Sequence, residues 1–368
     1  MSNKFLGEQL RLARLMSGLT LQELGDKVGV TRQYINQLET GAKQPANDLT
    51  SALSEILKVT NSFFLKEVKN DVKYEQCHFR KRKTTPVGLA NRVLALGTIF
   101  EEIVDIIDEY LELPETNFPD VELNNNYPEE SIERAAENCR KLWGLGLDTP
   151  ILNMIRVLEN NGAVITSFKE ISEKVDALSM NRKRPIIVRN GGKESCSRMR
   201  FSLAHECGHL VLHQGIETGC SITEKQADAF ASAFLFPRKA FLKEFPACIT
   251  PTRIRWEELY SLKLRWKISV RAIIYRAHYL GLMTSQQYRT ANVHLNKTGQ
   301  SKSEFYDDEI PMEEPEILSA AIDTLYEHGI SIFEIADRIG VSEEIIAQLT
   351  GYDLSKQERN NVRVLRII

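Results

Sequence analysis

The sequence predicts a mainly α-helical protein of several domains, one of which is a small α+β unit. Apolar residues recur at the three- and four-residue spacing of helices through most of the chain. Two short apolar runs, at 163–168 and 185–188, have the composition of strands. Because a chain of 368 residues exceeds what one core usually holds, we expect two or three domains.

The charge and cysteine content exclude several classes of protein. The 47 Lys and Arg residues nearly balance the 50 Asp and Glu residues, so a uniformly basic surface for nucleic acid or an anionic membrane is excluded. No stretch reaches the ~18 apolar residues of a membrane span, and the first residues lack the apolar core of a signal peptide. We therefore expect a cytoplasmic protein that does not bind membranes. Its six dispersed cysteines are expected to be free thiols.

Residues 1–67 are predicted to form a domain of five short helices with a helix-turn-helix at its centre. Thr20 and Thr31 are placed to cap two successive helices, and Gly29 supplies the turn between them. In the second helix Ile35 and Leu38 face the core. The outward side chains carry hydrogen-bond donors suited to base edges and phosphates, namely Arg32, Gln33, Tyr34, Asn36 and Gln37.

This pattern resembles the Cro/cI-type (XRE) helix-turn-helix family over residues 5–66. The resemblance implies binding to a double-stranded DNA operator, as a homodimer, with base and phosphate contacts at Arg32, Gln33 and Gln37. The glutamine that usually opens the first motif helix is Leu21 here, so one phosphate contact of the family is not expected. The alternative is a helical unit whose polar face only mediates dimerisation. The near-neutral charge of the segment leaves this alternative open, because phosphate contacts supply much of the affinity for DNA.

Residues 68–130 are predicted to be a basic connector followed by one long helix, over 89–113. The connector contains the run Phe-Arg-Lys-Arg-Lys at 79–83. This run could contact DNA phosphates, or its charged side chains could simply be solvated, and the sequence does not decide between the two. A break rich in Pro and Asn follows the long helix.

The motif His-Glu-Cys-Gly-His at 205–209 lies in a strongly apolar predicted helix, within a domain expected over 131–295. His205 and His209 are one helical turn apart, so both imidazoles can bind one Zn²⁺ ion. Glu206 is placed to accept a proton from a water that the metal activates. Glu224 on the next predicted helix is placed as the third ligand, and Asp228 as the acceptor that orients one zinc-bound histidine.

Three motifs in order, at 184–188, 198–213 and 224–237, resemble the ImmA/IrrE family of zinc metallopeptidases. His-Glu-x-x-His followed by Glu-x-x-x-Asp is its gluzincin arrangement. The resemblance covers about residues 140–290 and implies that the strand at 185–188 forms the edge of a substrate cleft. Members commonly have Glu two positions after the ligand glutamate, where this chain has Gln226. His213 is expected to support the site rather than to bind the metal, because helical drift turns it away from His205.

Residues 296–368 are predicted to be a C-terminal helical module with caps at Ser331 and Ser342 around a turn at Gly340. Its outline is again helix-turn-helix, but acidic residues surround its single arginine, Arg338. A packing or protein-contact role is therefore favoured over a second DNA-binding surface.

Together these features predict a DNA-binding transcriptional regulator with a zinc-dependent endopeptidase domain. The family resemblance implies that the cleaved partner is a repressor of the XRE type, in a phage, mobile-element or stress-response switch. One alternative is a non-enzymatic regulator or antitoxin that uses the peptidase-like fold as a sensor or partner-binding surface. Another is a protease whose first domain docks a repressor instead of DNA.

Overall fold

The computed structural model describes residues 4–68, 72, 77–79, 86–119, 121, 129–168, 177–189, 195–216 and 218–356. The chain divides into two compact units. Unit 1 comprises the described parts of 1–74, 83–113 and 316–368, and unit 2 those of 75–82 and 114–315. Helices dominate both units and one small sheet lies in unit 2, which confirms the predicted fold class.

Unit 1 is built from helices whose ends follow the capping residues of the sequence. Thr20 and Glu23 form a reciprocal capping box, Gly29 adopts φ 72° after the second helix, and the Thr31 side chain accepts from the Tyr34 amide. The helices are α1 Gly7–Met16, α2 Leu21–Val28, α3 Arg32–Glu39, α4 Asn47–Leu57, a 3-10 turn Asn61–Leu65, α5 Val87–Tyr110, α14 Ile317–Glu327, α15 Ile332–Ile339 and α16 Glu343–Thr350.

The C-terminal helices pack inside unit 1 rather than forming a separate body. Helices α14, α15 and α16 all contact α5. The turn between α15 and α16 also bonds to the end of the N-terminal helical region, where the Thr60 amide donates to the Gly340 carbonyl at 2.7 Å. Arg338 forms an ion pair with Glu109 of α5 at 2.6 Å. These contacts give the C-terminal module a packing role.

Unit 2 consists of helices around a four-stranded sheet. The strands are β1 Cys77–Phe79, β2 Val164–Ser167, β3 Ala177–Met180 and β4 Ile186–Arg189. The helices are α6 Glu129–Leu142, α7 Met154–Asn160, α8 Cys196–Leu212, α9 Ser221–Leu235, α10 Arg238–Glu244, α11 Trp256–Trp266, α12 Val270–Tyr279 and α13 Ser285–Lys297. The main core lies between α8, α9 and the helices around them.

The strand order is β1-β3-β4-β2, which corrects one prediction. The strand over 185–188 was expected to form the edge of a cleft, and this is wrong because β4 pairs with β2 on one side and β3 on the other. Strand β1 comes from the predicted connector and pairs antiparallel with β3. The rest of the basic run, 80–83, lies outside the described residues.

Residues 296–315 lie in unit 2, whereas the sequence suggested that they begin the C-terminal module. Buried acidic side chains explain the difference. Glu304 accepts from the amides of Val270 and Arg271 at the start of α12, and Glu313 accepts from the Met154 amide at the start of α7. Charge complementarity between segments far apart in the sequence therefore fixes this boundary.

A buried ion pair also holds this segment in unit 2. Lys263 of α11 lies 2.6 Å from Asp307 and 3.2 Å from Glu304. Burial by itself raises the pKa of Asp307, but hydrogen bonds from Lys263, the Glu304 amide and Ser197 outweigh it, so the pKa is lowered. Asp307 therefore stabilises the fold in its ionised form.

Within the described part of the chain, no helix combines the length and apolar character that a membrane span requires.

Candidate metal centre and nucleic-acid interface

The second helix of the helix-turn-helix presents a polar face to solvent. Ile35 and Leu38 are fully buried. The five predicted DNA-contacting residues lie on the rest of the helix: Arg32, Gln33 and Asn36 are exposed, and Tyr34 and Gln37 are half-buried. This face has the donors that base edges and phosphates accept, on a helix of the length that a major groove admits.

Helix α3 is held in place through its C-terminal end. Arg14 of α1 forms an ion pair with Glu39 at 2.5 Å, and both side chains are nearly buried. A Cβ atom at Gly7 of α1 would overlap the backbone carbonyls of Leu38 and Glu39, so the two helices approach as closely as glycine allows. The polar face of α3 is therefore on a rigid support.

Helices α8 and α9 bring the three predicted metal ligands together. Nε2 of His205 lies 3.1 Å from Nε2 of His209. The carboxylate oxygens of Glu224 lie 3.5 Å from the first of these atoms and 3.4 Å from the second. Ligand atoms placed ~2.1 Å from a tetrahedral zinc ion are about 3.4 Å apart. The donor set and its spacing therefore fit Zn²⁺.

Burial and hydrogen bonding shift the pKa values of His209 and Glu224 in the directions that metal binding needs. Burial lowers the pKa of His209 to about 4, so this imidazole is neutral at neutral pH. Burial alone would raise the pKa of Glu224, but hydrogen bonding to His205 and His209 outweighs it and lowers the pKa to about 2. A neutral imidazole and an ionised carboxylate are the forms that bind a metal cation.

Each histidine ligand is oriented by a different partner. Nδ1 of His205 lies 2.7 Å from Oδ1 of Asp228, the arrangement that the sequence predicted. Nδ1 of His209 lies 2.9 Å from Nδ1 of His213, whose Nε2 lies 2.9 Å from Oε1 of Gln226. When Nε2 of His209 is kept for a metal, its Nδ1–H donates to His213, and His213 in turn donates to Gln226.

Gln226 thus has a structural partner that sequence reasoning did not find. The sequence marked Gln226 only as a departure from the family pattern. Its amide oxygen ends a neutral chain of hydrogen bonds behind His209, whereas a charged carboxylate lies behind His205. The one-turn spacing from His209 to His213 was the available signal, because it places both rings on one helix face.

Glu206 is fixed by a residue that the sequence gave no reason to select. The Ser179 hydroxyl donates to Oε2 of Glu206 at 2.6 Å, and both residues are almost completely buried. Ser179 lies in β3, which was not predicted as a strand. The bond fixes the orientation of the carboxylate beside the two histidines.

The cysteines near the site differ in environment. Cys207, inside the His-Glu-x-x-His motif, is fully buried, and burial raises its pKa well above the usual value. Cys220 is exposed at the start of α9, and a hydrogen bond with Thr223 lowers its pKa. Cys207 is therefore a core residue.

A cleft of about 360 Å³ lies on one side of Asp228, the residue that hydrogen-bonds to the candidate ligand His205. Asp228, the partner of His205, is part of its wall. Side chains from α8, α12 and α13 form the rest, including Arg198, Arg271, Tyr275 and Tyr288. The cleft is large enough for a side chain of a bound peptide and has aromatic and basic groups on its surface.

Two family models match the chain. The helix-turn-helix model matches residues 10–61, and the IrrE N-terminal-like domain model matches residues 159–278. The second match contains β2, β3, β4, α8 and α9, and therefore all three candidate metal ligands. Both resemblances noted from the sequence are confirmed.

Three similar proteins are described as transcriptional regulators. The transcriptional regulator ClgR of Mycobacterium tuberculosis is 32% identical over 85 residues, which are 23% of this chain and 73% of ClgR. An uncharacterized HTH-type transcriptional regulator of Sinorhizobium medicae is 33% identical over 66 residues, 18% of this chain and 48% of the relative. The SPbeta prophage-derived uncharacterized HTH-type transcriptional regulator YonR of Bacillus subtilis is 37% identical over 60 residues, 16% of this chain and 56% of YonR.

Proposed function

The chain belongs to the XRE-type helix-turn-helix transcriptional regulators and carries an IrrE N-terminal-like domain, and from this we propose that it has two functions, one in each unit. It binds operator DNA as a homodimer in the cytoplasm through unit 1. Through unit 2 it acts as a zinc-dependent endopeptidase that cleaves a protein partner. The carrying observation is the convergence of His205, His209 and Glu224 next to a fixed Glu206.

The exposed face of α3 supports the DNA-binding half of the proposal. Arg32 and Gln33 at the start of the helix, with Asn36 one turn later, offer donors to bases and phosphates. The whole chain has a formal charge of −3, so the affinity has to come from this local face. Two copies of the face, one per protomer, would read two half-sites of an operator.

The peptidase half is supported by the division of roles among the buried groups. Zinc, when bound by these ligands, supplies Lewis-acid chemistry that activates water and polarises a peptide carbonyl. Glu206 accepts the proton of the attacking water on one carboxylate oxygen and passes it to the leaving amine. Ser179 holds the other oxygen, and Asp228 fixes the ring orientation of His205.

The proposed substrate is an XRE-type repressor. The ImmA/IrrE resemblance suggests this class, and the prophage-derived relative agrees with a phage or mobile-element setting. Cleavage of such a repressor would change transcription at its own operators, while unit 1 directs the enzyme to DNA.

The peptidase proposal is tested with purified chain and with Glu206→Gln. Both proteins should bind one zinc ion per chain, and only the unmodified chain should generate new fragments from co-expressed proteins encoded beside its gene, as detected by mass spectrometry. Glu257→Gln, an exposed change on α11, is the matched control and should cleave normally. Cleavage that persists in Glu206→Gln would exclude Glu206 as the base.

The DNA proposal is tested by selection from a random pool of double-stranded DNA. The unmodified chain should enrich a defined sequence, and Arg32→Ala with Gln33→Ala should lose this enrichment while retaining zinc. The matched control is Arg134→Ala with Gln286→Ala, which removes the same two residue types from exposed positions of unit 2. Equal enrichment by both double variants would refute α3 as the reading helix.

A further inference from the structure

We propose that β1, Cys77–Phe79, occupies the sheet edge to which an extended peptide substrate adds, so that the chain's own connector blocks the peptidase until β1 is displaced. The inference rests on the proposed peptidase function. The inference states that the substrate binds as an extended strand. It also states that β1 competes with the substrate for the backbone hydrogen-bonding groups of β3.

The position of β3 is the first observation. Without β1, β3 would be an edge of the sheet, because its other side pairs with β4. Its residue Ser179 bonds directly to Glu206, the proposed base. A strand that adds to this edge therefore lies one strand spacing, roughly 5 Å, from the residue that holds the base.

The register of β1 is the second observation. Strand β1 runs antiparallel to β3, with His78 opposite Ser179 and its two neighbours opposite Leu178 and Met180. The central residue of β1 therefore faces the residue bonded to the base. Addition of an extended segment to a free strand edge is a general mode of peptide recognition, since backbone bonds supply affinity for many sequences.

The origin of β1 is the third observation. The IrrE N-terminal-like match covers residues 159–278, which include β2, β3 and β4 but not β1. The domain thus provides an unpaired edge at β3, and a segment outside the match covers it. With three residues, β1 contributes few backbone bonds, so a longer peptide strand can compete with it.

The connectivity of β1 suggests what controls it. The described residues up to 72 and those from 86 to 113 belong to unit 1, which contains the helix-turn-helix, while 77–79 belong to unit 2. The covering strand is therefore held covalently on both sides by the unit that binds DNA. A substrate strand that replaces β1 must release this segment from the sheet.

The test locks β1 in place with a disulfide. Met180→Cys places a thiol opposite the natural Cys77, and facing residues of antiparallel strands have the Cα separation that a disulfide needs. The change is made in the Glu206→Gln background, which binds without turnover. Binding of fluorescein-labelled, carboxymethylated casein to the zinc-loaded protein is measured by anisotropy, before and after oxidation.

Oxidation should form the bond between positions 77 and 180, identified by peptide mass spectrometry, and should weaken casein binding by about tenfold or more, an effect of the size of one to two backbone hydrogen bonds. Reduction should restore binding. Cys77→Ser with Met180→Cys is the control, and oxidation should leave its affinity unchanged. Phe79→Cys with Leu178→Cys repeats the test at the other end of β1 if Met180→Cys fails to fold.

Two results would overturn the inference: absence of a disulfide in both designs, or a disulfide that leaves casein binding unchanged. The proposed peptidase function fails in a different way. If chains with Glu206 bind casein in the reduced form but generate no fragments, turnover is refuted while strand displacement stands. If fragments appear equally from oxidised and reduced chains, β1 is not the competitor and the peptidase stands.

Discussion

Gly208 of α8 lies against α9, between the proposed ligands His205 and His209 on one helix and Glu224 on the other, so we expect this contact to control the distance between them. A Cβ atom added at Gly208 would lie 3.1 Å from Cδ1 and 3.2 Å from Cβ of Phe230, and 3.3 Å from Cα of Ala227. The Cα atom of Ala227 and the Cβ atom of Phe230 cannot move by rotation of a side chain, so they can yield only if the backbone of α9 shifts. Phe230 is fully buried, so neither helix can yield without moving the other.

We predict that Gly208→Ala destabilises unit 2 and loosens the metal site. Overpacking of this kind costs about 1–3 kcal/mol. The higher helix propensity of alanine returns about 1 kcal/mol. The net loss is therefore ~0–2 kcal/mol. A shift of a few tenths of an ångström between the helices also separates Glu224 from His205 and His209, so we expect weaker zinc binding by about tenfold or more.

The matched control is Gly88→Ala, a helical glycine of α5 whose added Cβ would meet no atom within 4 Å. Gly88 is the second residue of α5, so its variant gains at most about 1 kcal/mol of helix propensity and lacks the contact; by circular dichroism it should be unchanged or slightly more stable, whereas Gly208→Ala should be unchanged to about 2 kcal/mol less stable. Urea unfolding followed by circular dichroism measures both. Tryptophan fluorescence isolates unit 2, because all three tryptophans, Trp143, Trp256 and Trp266, lie there.

Equal stability changes in the two alanine variants, together with unchanged zinc affinity in Gly208→Ala by competition with a chromogenic chelator, would refute this reasoning. That outcome would mean that the helices separate freely at this point and that their close approach does not position the ligands.

Three further predictions concern groups around the site. Ser179→Ala should lower kcat by about tenfold with unchanged zinc content, since it removes one hydrogen bond from the base; a loss of zinc instead would contradict the positioning role. Gln226→Leu should weaken zinc binding by about 10- to 100-fold and Gln226→Glu should preserve it, as chelator competition would show; equal affinities would remove Gln226 from the site. Because the pKa of Asp307 is lowered in the folded chain, its contribution to stability is present above the unfolded value of about 4 and declines as the pH falls through the folded value. Asp307→Asn should therefore flatten the loss of stability below about pH 4 in urea titrations, and an unchanged acid profile would show that the bond to Lys263 is not responsible.

Most of the helical structure was predictable because its determinants are local. Thr20, Gly29 and Thr31 lie within twelve residues, and they fix the ends of α2 and α3 through caps and a left-handed turn. The motif on α8 is equally local, since the spacing of His205 and His209 alone places both imidazoles on one face. The sequence by itself therefore determined the two helical motifs and the chemistry that they can carry.

The tertiary structure decided which distant segments complete these motifs. Strands β1 and β3 have three and four residues, too few for a periodic signal; β1 exists because it pairs with β3, and β3 because it also pairs with β4. The bond from Ser179 to Glu206 spans 27 positions, and Glu313 reaches the start of α7 across 159. Such contacts depend on where the folded backbone places two segments, and no local pattern encodes that placement.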